Sequence, residues 1–95
     1  MVTVIIPALN EEKTIGHVIG LVSASSLVDE ILVIDDKSSD NTIKKARLPK
    51  VKIYTSPKLG KGGSMRDGLL LSKNEINVFL DADILSYPDN VIELL

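Results

Sequence analysis

The sequence contains no cysteine, no tryptophan and a single histidine. Without cysteine, the chain can form neither a disulfide scaffold nor a thiolate zinc site, and it has no cysteine nucleophile. A metal site made of several histidines is likewise excluded within one chain. The formal net charge of −2 provides no positive field that would hold a nucleic acid non-specifically, so we expect no nucleic-acid partner.

Long apolar runs are also missing. No stretch approaches the ~20 apolar residues that a membrane-spanning helix needs, and the N-terminus lacks the pattern of a secretory signal peptide. We therefore expect a cytoplasmic protein that does not itself span a membrane. Residues 91–95 lie in an apolar-periodic run that has no helix stop signal, which predicts that the domain is cut short there.

The residues that are present have the balance of one globular domain: 44% of the 95 residues are apolar and 25% are charged. Four short apolar runs rich in β-branched residues predict strands, at 2–6, 31–34, 51–54 and 78–80. Three of these runs are nearly continuous, which is typical of parallel strands covered on both faces. The run at 51–54 alternates and fits an edge strand.

Helical patterns separate the four runs. After Asn10, which is the predicted N-cap, apolar residues recur with the spacing of one helix face, at Ile15, Val18, Ile19 and Val22. Further helices are predicted at about 40–47, after the glycines at 60–63, and from about Pro88. The alternation predicts an α/β fold, a Rossmann-like parallel sheet of about four strands with helices on both faces.

Polar residues gather where three of the predicted strands end, at 7–12, 35–40 and 81–83. Ligands of open α/β sheets bind beyond the carboxyl ends of the strands, so the three clusters predict one site. Asp81 and Asp83 are two carboxylates directly after a buried strand, and Mg²⁺ or Mn²⁺ would neutralise them together with substrate phosphates. The alternative is that both aspartates cap the following turn.

Two further segments carry candidate binding groups. The glycine-rich segment 60–63 includes Lys61 and precedes a predicted helix, an arrangement that suits phosphate, although a plain surface loop is the alternative. It is not a P-loop, and no Gly-x-Gly-x-x-Gly follows the first strand, which disfavours a nicotinamide site. Asp35 and Asp36 end the second strand, where one carboxylate could bind a ribose or a base and the other would be structural.

Four motifs in order resemble the family 2-like glycosyltransferases that have the nucleotide-diphospho-sugar-binding GT-A fold. The motifs are Val-Ile-Ile-Pro-Ala-Leu-Asn-Glu-Glu at 4–12, Ile-Leu-Val-Ile-Asp-Asp-Lys-Ser-Ser-Asp-Asn-Thr at 31–42, Gly-Lys-Gly at 60–62 and Asp-Ala-Asp at 81–83. Together they span nearly the whole chain. Within the family, the pattern is similar to polyprenyl-phosphate sugar transferases and to glucosyl-3-phosphoglycerate synthases.

The resemblance implies a role for each matching residue. The donor nucleotide, a UDP- or GDP-hexose, would be bound by eight residues, namely Pro7, Ala8, Leu9, Asn10, Glu11, Asp36, Lys61 and Ala82. Among these, Asp36 would bind the base and Lys61 the diphosphate. Asp83 would be the direct ligand of Mg²⁺ or Mn²⁺, and Asp81 would lie nearer the ribose or a metal-bound water. The metal would act as a Lewis acid on the departing nucleoside diphosphate.

The same resemblance limits the expected function. Complete members of the family carry a later part that binds the acceptor and, in inverting members, supplies a carboxylate base, so no catalytic residue is assigned within 1–95. We therefore expect residues 1–95 to be a donor-binding part of a metal-dependent glycosyltransferase. We also expect an exposed apolar face, which would be covered either by self-association or by an absent C-terminal half. The alternatives are a non-catalytic nucleotide-binding or interaction subunit and, less favoured, a receiver-like phospho-signalling module.

Overall fold

Four parallel strands form one sheet in the order β3-β2-β1-β4. The computed structural model describes residues 1–55 and 61–95, and in the second range it describes the side chains of 65–95. The elements are β1 Val2–Ala8, α1 Ile15–Ser23, β2 Val28–Asp35, α2 Thr42–Ala46, β3 Val51–Thr55, α3 Lys61–Leu71 and β4 Ile76–Phe79. The central strand β1 pairs Val4 with Ile31 of β2 and with Val78 of β4. The predicted parallel sheet is confirmed, and β3 lies at its edge as expected.

Helices cover both faces of the sheet, as predicted. The apolar stripe of α1 packs on alternate residues of β1 and β2, such as Val4, Ile6 and Ile31, to form the main core. On the opposite face, Ile5, Leu32, Ile34 and Phe79 form a second core cluster. The helix α3 contacts β1 and β2, and its Gly68 lies against Ile5, which places α3 on this face of the sheet. Successive side chains along a strand point to opposite faces of the sheet, so the same strands contribute residues to both core clusters, one under each layer of helices.

Replacing Gly68 with alanine is expected to lower the free energy of unfolding by about 1 to 3 kcal/mol, because it overpacks the second core. A methyl group at Gly68 would lie 2.5 Å from Cγ2 of the buried Ile5, and that atom is fixed close to the backbone. Gly20→Ala in α1 is the matched control, since a methyl group there would meet no described atom within 4 Å. That control is expected to gain about 0.5 to 1 kcal/mol from helix propensity. Urea titrations would compare the two variants, and equal shifts would contradict the packing of α3.

Three predicted helix boundaries are wrong. The helix predicted to follow the glycines at 60–63 begins at Lys61, so Gly62 and Gly63 lie within α3. The first helix begins at Ile15, with Thr14 as its N-cap, and Asn10 does not cap it. Asn10 instead has a φ of 53°, and its side-chain oxygen accepts a hydrogen bond from the Ser39 N–H at 2.8 Å, which draws it away from the helix. Asparagine tolerates this left-handed conformation better than most residues do.

The helix predicted from Pro88 is also wrong. Residues 89–94 form hydrogen-bonded turns, in which the Val91 N–H donates to the Pro88 carbonyl at 3.0 Å. Val91 and Ile92 are both buried in the main core, and the Ser25 hydroxyl donates to the Glu93 carboxylate at 2.5 Å. These contacts bind the segment to the α1 face, so tertiary packing overrides the local helical signal.

Candidate functional site

Three polar loops meet at the edge formed by the carboxyl ends of the strands. Because β1 lies between β2 and β4, the loop after β1 is flanked by the loops after the other two strands. The order of strands reverses between β1 and β4, which is the position where open α/β sheets bind ligands. The structure therefore brings together the clusters at 7–12, 35–40 and 81–83 that the sequence placed at one edge.

The loops after β1 and β2 are joined by hydrogen bonds from three consecutive backbone N–H groups. The Asn10 N–H donates to the Ser38 hydroxyl at 2.9 Å, and the Glu11 N–H donates to the Thr42 hydroxyl at 2.8 Å. The Glu12 N–H donates to the Asp40 carboxylate at 3.3 Å. These bonds attach the first loop, which has no regular structure, to the segment that follows β2.

Replacing Thr42 with valine is expected to lower the free energy of unfolding by about 1 to 3 kcal/mol. The buried hydroxyl of Thr42 accepts from Glu11 and donates to Asp40, and valine keeps its shape but leaves both partners without that bond. Thr55→Val, at an exposed position of the edge strand β3, is the matched control and should change stability little. Thermal unfolding would compare the two, and equal melting temperatures would contradict the role of this hydroxyl.

Asp35 and Asp36 differ in their surroundings. Asp35 is fully buried, and its Oδ2 accepts from the Ser38 N–H at 3.0 Å, so it shapes the loop after β2. Asp36 is half-buried, and its N–H donates to the Ala8 carbonyl at 2.8 Å. The structural member of the pair is therefore Asp35, which leaves Asp36 as the candidate for the base.

The loop after β4 begins where the last sheet hydrogen bond ends. The Leu80 N–H donates to the Ile5 carbonyl at 3.1 Å, and Asp81, Ala82 and Asp83 follow. Ala82 is buried in the main core, whereas Asp81 is half-buried and Asp83 is exposed. The Asp81 N–H donates to the phenol oxygen of Tyr87 at 3.0 Å.

A cavity of about 290 Å³ lies beside this loop at the end of the sheet. The cavity is lined by four apolar residues, from β1, α3 and the end of β4, and by the polar residues Asp81 and Tyr87. The four apolar residues are Pro7, Met65, Phe79 and Leu80. The cavity therefore joins Pro7 of the first predicted cluster to Asp81 of the third.

Negative charge converges on Glu11. Burial raises the pKa of the Glu11 carboxyl, the charge of Asp83 raises it further, and Asp40 and Asp81 add to the rise, while a hydrogen bond from Thr14 opposes it. The carboxylates of the first and third loops therefore lie near enough to repel one another. A divalent cation would relieve this repulsion, so the residues present fit the predicted metal.

The protein groups offer fewer ligands than a complete metal shell needs. Within residues 1–55 and 61–95, no three acidic or histidine side chains are arranged to hold a metal ion. Mg²⁺ is commonly held by one or two carboxylates together with substrate phosphates and waters, and Asp81 with Asp83 match that pattern.

The remaining predicted residues are placed as follows. The side chain of Leu9 is exposed and that of Ala8 is buried, with its carbonyl accepting from Asp36. Gly60 and the side chain of Lys61 lie outside the described residues. Thr42 and Tyr87 make hydrogen bonds to the predicted loops, but neither was among the predicted site residues. Thr42 was visible in the Asp-x-Thr part of the second motif, but no local pattern connects Tyr87 to Asp81.

The sequence profile of the family described as "Glycosyl transferase family 2" matches residues 3–95. The chain belongs to this family. Glucosyl-3-phosphoglycerate synthase of Mycolicibacterium paratuberculosis is 36% identical to this family 2 chain over 99 residues, which cover 90% of this chain and 29% of the relative. The 4,4'-diaponeurosporenoate glycosyltransferase of Staphylococcus haemolyticus is 31% identical over 101 residues, which cover 99% of this chain and 27% of the relative. The chain thus spans less than a third of these curated relatives.

Solved structures agree with the family assignment and confirm the GT-A fold. Glucosyl-3-phosphoglycerate synthase from Mycobacterium tuberculosis, in complex with Mn²⁺, UDP-glucose and phosphoglyceric acid, matches with a TM-score of 0.89 at 30% identity. The match covers 100% of this family 2 chain and 37% of that chain. The same enzyme in complex with UDP matches with a TM-score of 0.87 at 29% identity, over 98% of this chain and 37% of that one. None of the helices among the described residues has the length and apolar character needed to cross a bilayer.

Proposed function

We propose that residues 1–95 are the donor-binding part of a glycosyltransferase and bind a nucleotide-diphospho-hexose together with Mg²⁺ or Mn²⁺. The observation that carries this proposal is the meeting of the Asp81–Asp83 loop with the loops after β1 and β2 at the reversal of strand order. A relative with the same fold was solved with Mn²⁺ and UDP-glucose, which supports UDP-glucose as the first donor to test.

The proposed roles are those that the family resemblance implies for each residue. Asp83, which is exposed, would hold the metal, and Asp81 would lie nearer the ribose, with the backbone of Ala82 between them. Asp36 would bind the base, and Lys61 would bind the diphosphate. The first loop would line the nucleotide through Pro7, Ala8, Leu9, Asn10 and Glu11. When bound, the divalent metal would neutralise charge on the departing nucleoside diphosphate.

Sugar transfer is proposed for a protein that carries this part together with an acceptor-binding part. The chain covers 37% of the synthase of known structure, and no residue of 1–95 is assigned as the base for an acceptor hydroxyl. A cytoplasmic location belongs to the same proposal and agrees with a sequence that contains no cysteine. Self-association through exposed apolar side chains, such as Leu70 and Ile76, is a further prediction that sedimentation would test.

Isothermal calorimetry with UDP, GDP and UDP-glucose tests the proposal. We expect UDP and UDP-glucose to bind in the presence of Mn²⁺ and to bind far more weakly when a chelator removes the metal. Tighter binding of GDP would keep the donor site but change the base. Absence of binding to all three nucleotides would contradict the donor site and favour an interaction subunit of the same fold.

A further inference from the structure

Tyr87 makes a hydrogen bond to the backbone of the candidate metal-binding loop. Its phenol oxygen accepts from the Asp81 N–H at 3.0 Å, and both residues line the cavity of about 290 Å³ at the end of β4. Residues 80–88 belong to no strand or helix, so the sheet orders the backbone only up to Leu80. The bond from Tyr87 holds the loop one residue further on, at the first of the two aspartates.

The tyrosine is itself held in place by the main core. Its half-buried ring packs against the core cluster that contains Leu80 and Ala82. The segment that follows it is fixed by the burial of Val91 and Ile92, and by the hydrogen bond from Ser25 to Glu93. A side chain fixed at both its ring and its hydroxyl can restrict the backbone to which it bonds.

The bond acts on the backbone that carries the carboxylates. A backbone N–H that donates to a fixed acceptor restricts rotation of the peptide group before Asp81, and the next residue, Ala82, is buried in the main core. The backbone is therefore restrained at two consecutive residues directly before the exposed Asp83. Ligands held in advance lose less conformational entropy when they bind a metal.

We propose that Tyr87 is a positioning residue that orients the Asp81–Asp83 loop for binding of the metal and the nucleotide. This inference rests on the proposed donor site. The effect would be exerted through the backbone of Asp81, so the hydroxyl of Tyr87 needs no contact with the ligand. Outer groups that orient metal ligands typically change metal affinity by 10- to 100-fold when they are removed.

Tyr87→Phe is the direct test, because it removes the hydroxyl and keeps the ring. In the ligand-free protein, we expect the Asp81 amide of the variant to exchange its hydrogen several-fold faster than in the wild type. In calorimetry with Mn²⁺, we expect the Kd of UDP to rise about tenfold. In the presence of a chelator, the Kd of UDP should differ between the two proteins by much less than tenfold, because the contribution of the metal is then absent from both. Tyr54→Phe, at an exposed position of β3, is the matched control and should change neither measurement.

The outcomes separate this inference from the proposed function. Wild-type affinity for UDP and Mn²⁺ in Tyr87→Phe would overturn the positioning role and leave the donor site intact. Absence of metal-dependent binding in the wild type would overturn the donor site and the positioning role with it. Unprotected exchange at the Asp81 amide of the wild type would overturn the inference without any variant, even if Tyr87→Phe failed to fold.

Discussion

Replacing Asp83 with asparagine is expected to weaken Mn²⁺-dependent binding of UDP by about 100-fold or more. Asp83 is exposed, so the substitution should change the stability of the fold little. It removes one of the two carboxylates of the loop at 80–88 and leaves only Asp81 to bind the metal. Removal of groups that merely orient metal ligands costs 10- to 100-fold, and a direct ligand should cost at least the upper value. Calorimetry with UDP and Mn²⁺ measures the effect.

Asp89→Asn provides the control for this prediction. It removes the same charge from an exposed position of the same C-terminal segment, outside the residues assigned to the donor site. Its Kd for UDP should match that of the wild type. If Asp83→Asn binds UDP and Mn²⁺ as tightly as this control does, then Asp83 is not the metal ligand.

Replacing Glu30 with alanine is expected to lower the free energy of unfolding by about 3 kcal/mol or more. Glu30 is 2% exposed, on β2. Its Oε1 accepts from the Thr3 hydroxyl at 2.7 Å and from the Lys73 N–H at 2.9 Å, and its Oε2 lies 3.3 Å from the Lys52 ammonium. The carboxylate therefore joins β1, β2 and β3 to the connection between α3 and β4, and alanine would leave its buried donors without a partner.

The contribution of Glu30 should depend on pH. Burial alone would raise the pKa of this carboxyl, but the hydrogen bonds from Lys73, Thr3 and Lys52 outweigh it and lower the pKa below its ordinary value of 4.5. A lowered pKa in the folded state means that the unfolded chain binds the proton more readily. The stabilisation is therefore complete above about pH 4.5 and is lost as the pH falls through the folded-state pKa.

Urea titrations at several pH values would measure this dependence. The stability difference between the wild type and Glu30→Gln, which keeps the volume but not the charge, should shrink as the pH falls below about 4.5. Glu75→Ala, at a nearby exposed position, is the control and should change stability little. A difference that stays constant down to low pH would show that the charge of Glu30 does not stabilise the fold.

The pattern of apolar residues was sufficient to predict the approximate positions of the four strands and the buried face of the first helix. Capping residues and glycines indicated the second and third helices, although α3 begins at Lys61 and not after the glycines. The run at 31–34 lies within β2, and the face made by Ile15, Val18, Ile19 and Val22 is the buried side of α1. Local motifs also predicted which loops would meet, because the carboxyl ends of parallel strands share one edge. The family assignment then confirmed the resemblance that these motifs carry.

Predictions that depended on a single local signal were less successful. Asparagine is common at a helix N-cap and proline in a first helical turn, yet Asn10 bonds to Ser39 and the segment after Pro88 forms turns. In both places a contact with a distant part of the chain outweighs the local preference, which is worth only about 1 kcal/mol at a helix cap.

By itself, the sequence determined the α/β alternation, the single polar edge and the family, because each of these depends on residues that are close together along the chain. The tertiary structure alone decided which groups at that edge bond to one another. The Glu11 N–H and the Thr42 hydroxyl are 31 residues apart, and they meet because β1 and β2 pair in one register. Asp81 and Tyr87 meet because Val91 and Ile92 bury the segment that follows the tyrosine. Such pairs depend on strand order, register and core packing, which no local pattern encodes.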